Sequence, residues 1–443
     1  MRRLPLLLSA GVLCAALAVA GGLVSRPSPP QRPPGDAAAL HRPSSDTAAA
    51  GSGSSSSLGA AIAADQRRLR EVPTDAPAWA RLGALYVEQA RLTADPSYYP
   101  KADEALHRAL DLDPQDSVEA FTGLGALANA RHRFTEAKDF ARRAVAAQPL
   151  HWQAYAVLAD ALTQLGEDAA ATEAVQQLLD HRPGTAAFTR AAYDLEQHGR
   201  TDDARAALER ALADAYSPAD KAFCLHHIAE LDLNAGRTRQ ALSGYQRALA
   251  TDAEYTPALA GQARAEAALG DTDAAIRDYT TAIRRVPLPQ YLLELGELHE
   301  ALGHPREAQE QYALLRAEQQ LAAANGVSDD LTLGQFQADH GDPAQATTLL
   351  RAEWQQRHHP LVADALGWAL HRNGQDQEAL TYADLALGHG WRNALFLYHR
   401  GEIERSLGHN KRARDDLTAA LATDPQFSPV HAPLAKAALD KLA

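Results

Sequence analysis

Residues 236–249 read GRTRQALSGYQRAL, and 34 positions later residues 270–283 read GDTDAAIRDYTTAI. In each stretch a turn glycine is followed by Ala, Tyr and Ala at i, i+4 and i+7: Ala241, Tyr245 and Ala248, then Ala275, Tyr279 and Ala282. That spacing puts a small, a large and a small side chain on one stripe of a 3.6-residue helix. The phase extends in both directions. The alanine recurs at Ala102, Ala137, Ala171, Ala204, Ala241, Ala275, Ala308, Ala346, Ala379 and Ala413, at steps of 33 to 38 residues. Turn glycines run ahead of it, from Gly166 and Gly199 to Gly374 and Gly408. Proline follows it in most units, at Pro114, Pro149, Pro183, Pro218, Pro287, Pro360 and Pro425, where it stops one helix and presets the next.

Upstream of each turn lies another helix with a Leu-Gly or Leu-Ala step, as in Leu82-Gly83, Leu124-Gly125, Leu158-Ala159, Leu295-Gly296, Leu333-Gly334 and Leu366-Gly367. A missing side chain beside a leucine lets two helix axes approach while the leucine fills the seam. The repeating unit is therefore a helix, a glycine turn and a second helix. It cannot bury its apolar stripe alone, so successive units must stack.

These residues resemble the tetratricopeptide repeat family, whose 34 positions carry Trp, Leu-Gly, Tyr, then Ala, Phe or Tyr, Ala and Pro. Trp79, Leu82, Gly83, Tyr86, Ala102, Ala109 and Pro114 match it, with about seven extra residues between the two helices, around Ala94 to Pro100. The resemblance runs from Leu58 to the C-terminus and implies an all-α fold. The expected form is a right-handed superhelical solenoid of about ten antiparallel helix pairs with capping helices at both ends. Residues 60–72 read as a lone second helix covering the first repeat, and residues 429–443 as a C-terminal cap. Residues 186–211 lack a clear Leu-Gly step. Residues 316–330 are longer than a standard link and suggest an extended helix ending near Gly326.

The repeats, residues 58–428, sit behind a different kind of sequence. Arg2 and Arg3 precede an apolar run from Leu6, and Ala18-Val19-Ala20 offers the small-x-small site read by signal peptidase, with cleavage expected before Gly21. Apolar character reaches Val24, so residues 1–20 read as a signal peptide or, uncleaved, a membrane anchor. In either case the bulk of the chain lies outside the cytoplasmic membrane. Cys14 lies within the apolar run and Leu13 precedes it, which disfavours a lipoprotein. Residues 21–57 carry PSPPQRPP and GSGSSSS and read as a disordered spacer.

Composition excludes several functions. The 443 residues carry 43 basic and 56 acidic side chains, and beyond residue 57 the balance is 38 to 54, a net charge of −16. Nothing there draws the chain to nucleic acid. Two cysteines exclude a disulfide scaffold and a zinc ribbon. His299 and His304 resemble a zinc-binding pair but stand at i and i+5, about 140° apart around a helix. Cys224 and His226 are at i and i+2 and share no face, so Cys224 reads as a small buried residue. The 18 histidines read as surface residues with ordinary pKa values, and no metal site or cofactor is expected.

What remains is binding. The resemblance implies that first helices line a concave groove, which places Asp160, Glu230, Arg264, Glu297, Glu300, Asp364, Trp368, His371, Arg372, Tyr398, Glu402 and Arg405 in it. Residues 34 apart should neighbour each other, so that Asp364 faces Tyr398, Trp368 faces Glu402 and His371 faces Arg405. Trp368, with two cationic groups nearby on an exposed face, reads as a peptide anchor; packing over its own helix pair is the alternative. The Lys and Asn clamp by which some relatives hold a terminal carboxylate is absent, since its positions hold Ala156 and Asp160, His226 and Glu230, Asp364 and Trp368. An acidic groove suggests basic or amphipathic segments. The expected function is a non-catalytic scaffold binding a protein or extended peptide. A cell-envelope glycan binder and a cryptic metal- or thiol-dependent enzyme are the alternatives.

Overall fold

The computed structural model describes residues 53–114, 117–327, 330–391 and 393–442. They form 22 α-helices and, among the described residues, no strand. The first, α1 (Gly53–Glu71), is a single helix. Ten antiparallel pairs follow: α2 (Ala76–Thr93) with α3 (Tyr98–Leu112), α4 (Val118–Ala130) with α5 (Phe134–Ala147), and α6 (Trp152–Gln164) with α7 (Asp168–His181). Next come α8 (Thr185–Gln197) with α9 (Thr201–Asp214), α10 (Pro218–Leu233) with α11 (Thr238–Thr251), and α12 (Thr256–Leu269) with α13 (Thr272–Arg285). The last four pairs are α14 (Pro289–Ala301) with α15 (Pro305–Ala324), α16 (Leu331–His340) with α17 (Pro343–Gln356), α18 (Pro360–Arg372) with α19 (Asp376–Gly388), and α20 (Ala394–Ser406) with α21 (Asn410–Thr423). A single helix, α22 (His431–Leu442), ends the described chain.

Local chemistry sets these boundaries. Asp75, Ser217, Asp271 and Asp342 accept hydrogen bonds from the first free amides of α2, α10, α13 and α17, each cap contributing about 1 kcal/mol. The alanine stripe is buried in every pair. At Gly296 a Cβ would lie 2.2 Å from the Tyr312 ring, so glycine is what lets α14 and α15 meet at that distance.

Three details depart from the sequence reading. α1 begins at Gly53, within the stretch read as spacer. The extra residues of the first repeat lengthen α2 to Thr93 and leave a short turn through Ala94, which has φ 50°, instead of forming a long loop. The fourth pair is regular without a Leu-Gly step, because Ala192 supplies the small buried residue. The expected long helix is α15, 20 residues ending at Ala324. The proposed signal, its cleavage site at Ala18, Ala20 and Gly21, Cys14 and the PSPPQRPP spacer lie outside the described residues.

The array is coiled, and its turns touch. Arg357 Nε, in the link before α18, donates to Gln164 Oε1 at the end of α6 at 2.6 Å. The Tyr193 ring stacks on His359 with ring centroids 6.3 Å apart, and Tyr193 OH lies 3.1 Å from His359 Nε2. His389 pairs with Asp168 at 2.8 Å, and Arg133 reaches the carbonyl of Gly326 at 3.5 Å. The turn at Gly199 lies against Gly390, and that at Gly236 against Thr423 and Asp424. Apart from Tyr193, which lies within α8, these contacts set a turn of repeats two to five, or the helix end beside it, against a link that follows repeats seven to ten. Gln164 and Arg357 are 193 residues apart, as are Arg133 and Gly326. One turn of the coil therefore takes about 5.7 repeats of 34 residues.

The candidate binding face

The packing of helices identifies the inner side. First helices of successive repeats touch one another (α2 with α4, α4 with α6, α10 with α12, α16 with α18, α18 with α20), whereas second helices make no comparable contacts. In a bent double layer the crowded layer is the inner one. The face expected to bind lies on that layer, and the structure draws most of its polar groups into mutual pairs.

In repeats three and four, Arg190 grips Asp160 with two hydrogen bonds, Nε to Oδ1 at 2.8 Å and Nη2 to Oδ2 at 2.7 Å. Burial pushes the Asp160 pKa up to about 6, although the charge and hydrogen bonds of Arg190 pull it down. In repeats five to seven, Arg264 Nη2 donates to Glu230 at 2.7 Å while its Nε lies 3.8 Å from Glu294. The Tyr245 hydroxyl also donates to Glu230. Glu230 and Arg264 are 34 residues apart and meet as the repeat spacing requires.

A third group joins repeats seven to ten and the last helix. His340 bridges Glu297 at 3.3 Å and Glu300 at 3.0 Å. Burial works against its charge, but the hydrogen bond and charge of Glu297, with Glu300, raise its pKa. Trp368 donates from Nε1 to Asp339 at 2.9 Å and stacks on His399 with centroids 4.2 Å apart. His399 pairs with Asp364 at 2.9 Å, and His431 of α22 lies 3.6 Å from Asp339. Tyr398 packs on Phe427 and His431. Burial opposes the His431 charge, but Asp339 raises its pKa; Asp339 is held low by His431 and Trp368 despite its own burial.

Several expectations need correction. Trp368 is 5% exposed and cross-links three repeats and the cap, so it is not an open anchor in this structure. The polar partners fall one or more residues away from the 34-residue match: Asp364 pairs with His399, Trp368 meets His399 and Tyr398, His371 pairs with Asp376 at 2.5 Å, and Arg405 turns back to Glu402 at 2.7 Å. Nor are all the histidines ordinary surface groups. Burial drives the His226 and His227 pKa values down to about 3 and holds that of His359 well below the usual range. They line the inner layer and the contact between turns, where water is displaced. Cys224 is fully buried, and burial raises its thiol pKa to about 12.

Arg190, Glu294, Asp339, His399 and His431 were missed by sequence reasoning. Only Arg190 and His399 carry a signal in the sequence, an opposite charge 30 and 35 residues from the candidate carboxylates Asp160 and Asp364. Of the candidates, Glu300, Arg372 and Arg405 keep the largest open share of side chain. Among the described residues no group of three or more His, Cys, Asp or Glu side chains is arranged to hold a metal ion, and no helix is long and apolar enough to cross a membrane.

The inner carboxyls give stability a definite pH dependence. Burial raises Glu196 to about 8, Glu266 and Glu294 to about 7, and Asp160 and Asp424 to about 6. The folded chain then binds these protons more tightly than the unfolded one, so their stabilising contribution is lost as pH rises through 6 to 8. His340 and His431, with raised pKa values, act in the same direction. His226, His227 and His359 act oppositely: their contribution is present above the ordinary imidazole value of 6.5 and lost below it. Between about pH 4.5 and 6 the five raised carboxyls outweigh the three lowered imidazoles, so the thermal midpoint should be highest at about pH 4.5 and fall as pH rises towards about 8. Calorimetry at fixed ionic strength checks this, and Glu196→Gln should flatten the alkaline limb; a midpoint still rising at pH 8.5 would contradict the assignment.

Residues 130–186 and 228–288 match the family model described as Tetratricopeptide repeat, which places those stretches in that class of helix-pair repeat. No curated protein matches the chain. Among solved structures it is similar to a tetratricopeptide repeat protein from Parabacteroides merdae ATCC 43184, at 17% identity and TM-score 0.34, covering 58% of this chain and 98% of that one. It is also similar to PilW, described as a widely conserved type IV pilus biogenesis factor, at 22% identity and TM-score 0.38, covering 45% and 92%. A third is the human IFIT1 dimer with PPP-AAAA, at 14% identity and TM-score 0.43, covering 82% and 94%. None of these likenesses carries an argument about what this chain binds.

Proposed function

We propose that the protein is a non-catalytic scaffold outside the cytoplasmic membrane that binds a basic or amphipathic extended segment of a partner protein along its inner layer. Tetratricopeptide repeats act in general as protein-interaction scaffolds, and the matched stretches support that class of role. The observation that carries the reading is a charge imbalance on the first helices. The ten first helices carry 16 Asp and Glu against eight Lys and Arg. Burial favours the protonated forms of Glu196 and Glu294, while Asp160, Glu230, Glu297, Glu300, Asp339, Asp364 and Glu402 lie there with Arg190, Arg264, Arg372 and Arg405. Cations from a partner would complete that set, and Glu297 with Glu300 offers the most open carboxylate pair for first contact.

The test is photo-crosslinking in intact cells from Glu300 and Arg372, compared with the exposed outer position Arg306. One adduct common to both inner positions, absent at Arg306 and weakened about tenfold by Glu297→Gln/Glu300→Gln, is the expected result. Equal labelling at all three positions would reject the inner face. Fractionation of the same cells tests the location: a product beginning at Gly21 indicates cleavage, a longer membrane-bound one indicates an anchor, and a cytosolic chain refutes both.

A further inference from the structure

The coil exposes the same two kinds of edge that it stacks internally. Turns of repeats two to five rest on links after repeats seven to ten. Among the described residues, the turns at Gly270, Gly303, Gly374 and Gly408 and the links at Leu150 and Tyr216 show no such partner. The turn glycines show the contrast. A Cβ at Gly166 or Gly199 would strike the backbone of His358 or Gly390, whereas at Gly270, Gly303, Gly374 or Gly408 it would meet nothing within 4 Å. On the bare links Leu150 is 73% and Tyr216 95% exposed, and on the bare turns Leu269 is 41% exposed.

The ends match as well. α1 packs on the first helix of repeat one as a preceding second helix would, and α22 packs against α20 and α21 as a following first helix would. Each is half of a repeat, and α22 leaves Leu434 52% exposed.

We propose that a second copy of this chain docks head to tail, α22 of one copy pairing with α1 of the next to complete an eleventh repeat. The coil then continues across the junction. At about 5.7 repeats per turn, the bare turns of one copy fall on the bare links of the next. Tyr216 then meets the turn at Gly408, and Leu150 the turn at Gly341. The two surfaces are different patches, so the association is heterologous and does not close on itself; it grows into filaments.

Sedimentation velocity tests this on the protein as the cell processes it, from about 1 to about 100 µM. The weight-average coefficient should rise without a plateau. Leu150→Glu/Tyr216→Glu, which spoils the link edge, and Leu434→Glu, which spoils the C-terminal face, should each weaken association about tenfold or more. Mixed together, the two variants should stop at a one-to-one pair, because each keeps one intact surface. A monomer throughout, a plateau at a dimer, or association untouched by either variant would overturn the proposal. Circular dichroism of both variants separates lost docking from lost folding.

Discussion

Replacing Arg190 with leucine is expected to destabilise the protein by about 3–5 kcal/mol. The guanidinium is buried, holds both oxygens of Asp160 and also donates to the carbonyl of Ala186 at 3.0 Å. Without it, a buried carboxylate loses its counter-charge. Even with the arginine present, burial lifts the Asp160 pKa to about 6, so in the variant the carboxyl takes up a proton near neutral pH. The loss should therefore be larger at pH 8 than at pH 5. Urea denaturation at both values measures it, and amide exchange in α6 and α8 should locate it. Asp160→Leu/Arg190→Leu should recover most of the stability, because two apolar side chains leave no charge to desolvate. A single variant within about 0.5 kcal/mol of the parent would mean that the pair carries no more weight than a surface bridge.

Arg357→Ala is expected to cost about 3 kcal/mol and to loosen the coil. The side chain is 1% exposed, donates to Gln164 across the contact between turns, lies 3.5 Å from Glu353 and covers the Phe134 ring at 5.7 Å. Small-angle scattering should show a larger radius of gyration. Exchange protection should fall around Asp168 and Gly390, which Arg357 does not touch, because their contacts belong to the same line. Arg357→Lys keeps a charge but loses the fork that reaches Gln164, and should fall between the two. An unchanged radius, with the loss confined to α17 and α18, would show that this arginine packs locally and does not hold the turns together.

Helices and repeats were legible because each unit restates the same stripe: Ala241, Tyr245 and Ala248 recur as Ala275, Tyr279 and Ala282, and both sets are buried. That the first helices form the inner layer came from the family resemblance, and the match of Glu230 with Arg264 follows directly from the spacing. The pitch was not legible. A rotation of a few degrees per repeat, invisible in residue types, accumulates over five repeats and decides whether Gln164 faces solvent or Arg357. That accumulation also explains the histidines, since His359 has no cue nearby in sequence that Tyr193 and Trp391 will enclose it. At Trp368 the anchor and the packing readings both stood open, because its aromatic and cationic surroundings suit an anchor and a clasp equally well. Only the position of α22, which brings His431 beside Asp339, distinguishes them.

The line of contacts between turns changes how this chain should come apart. An open array of repeats touches only its sequence neighbours, so it frays from its ends and its melting is broad. Here Gln164 waits for Arg357, 193 residues away, and Asp168 for His389. Such distant closures raise contact order and slow folding, but they also tie the middle of the chain to its end. Loss of one terminal repeat then withdraws support from a repeat near the middle. Unfolding becomes more cooperative than a one-dimensional array allows, and the cost of that sharpness is a slower search for the native coil.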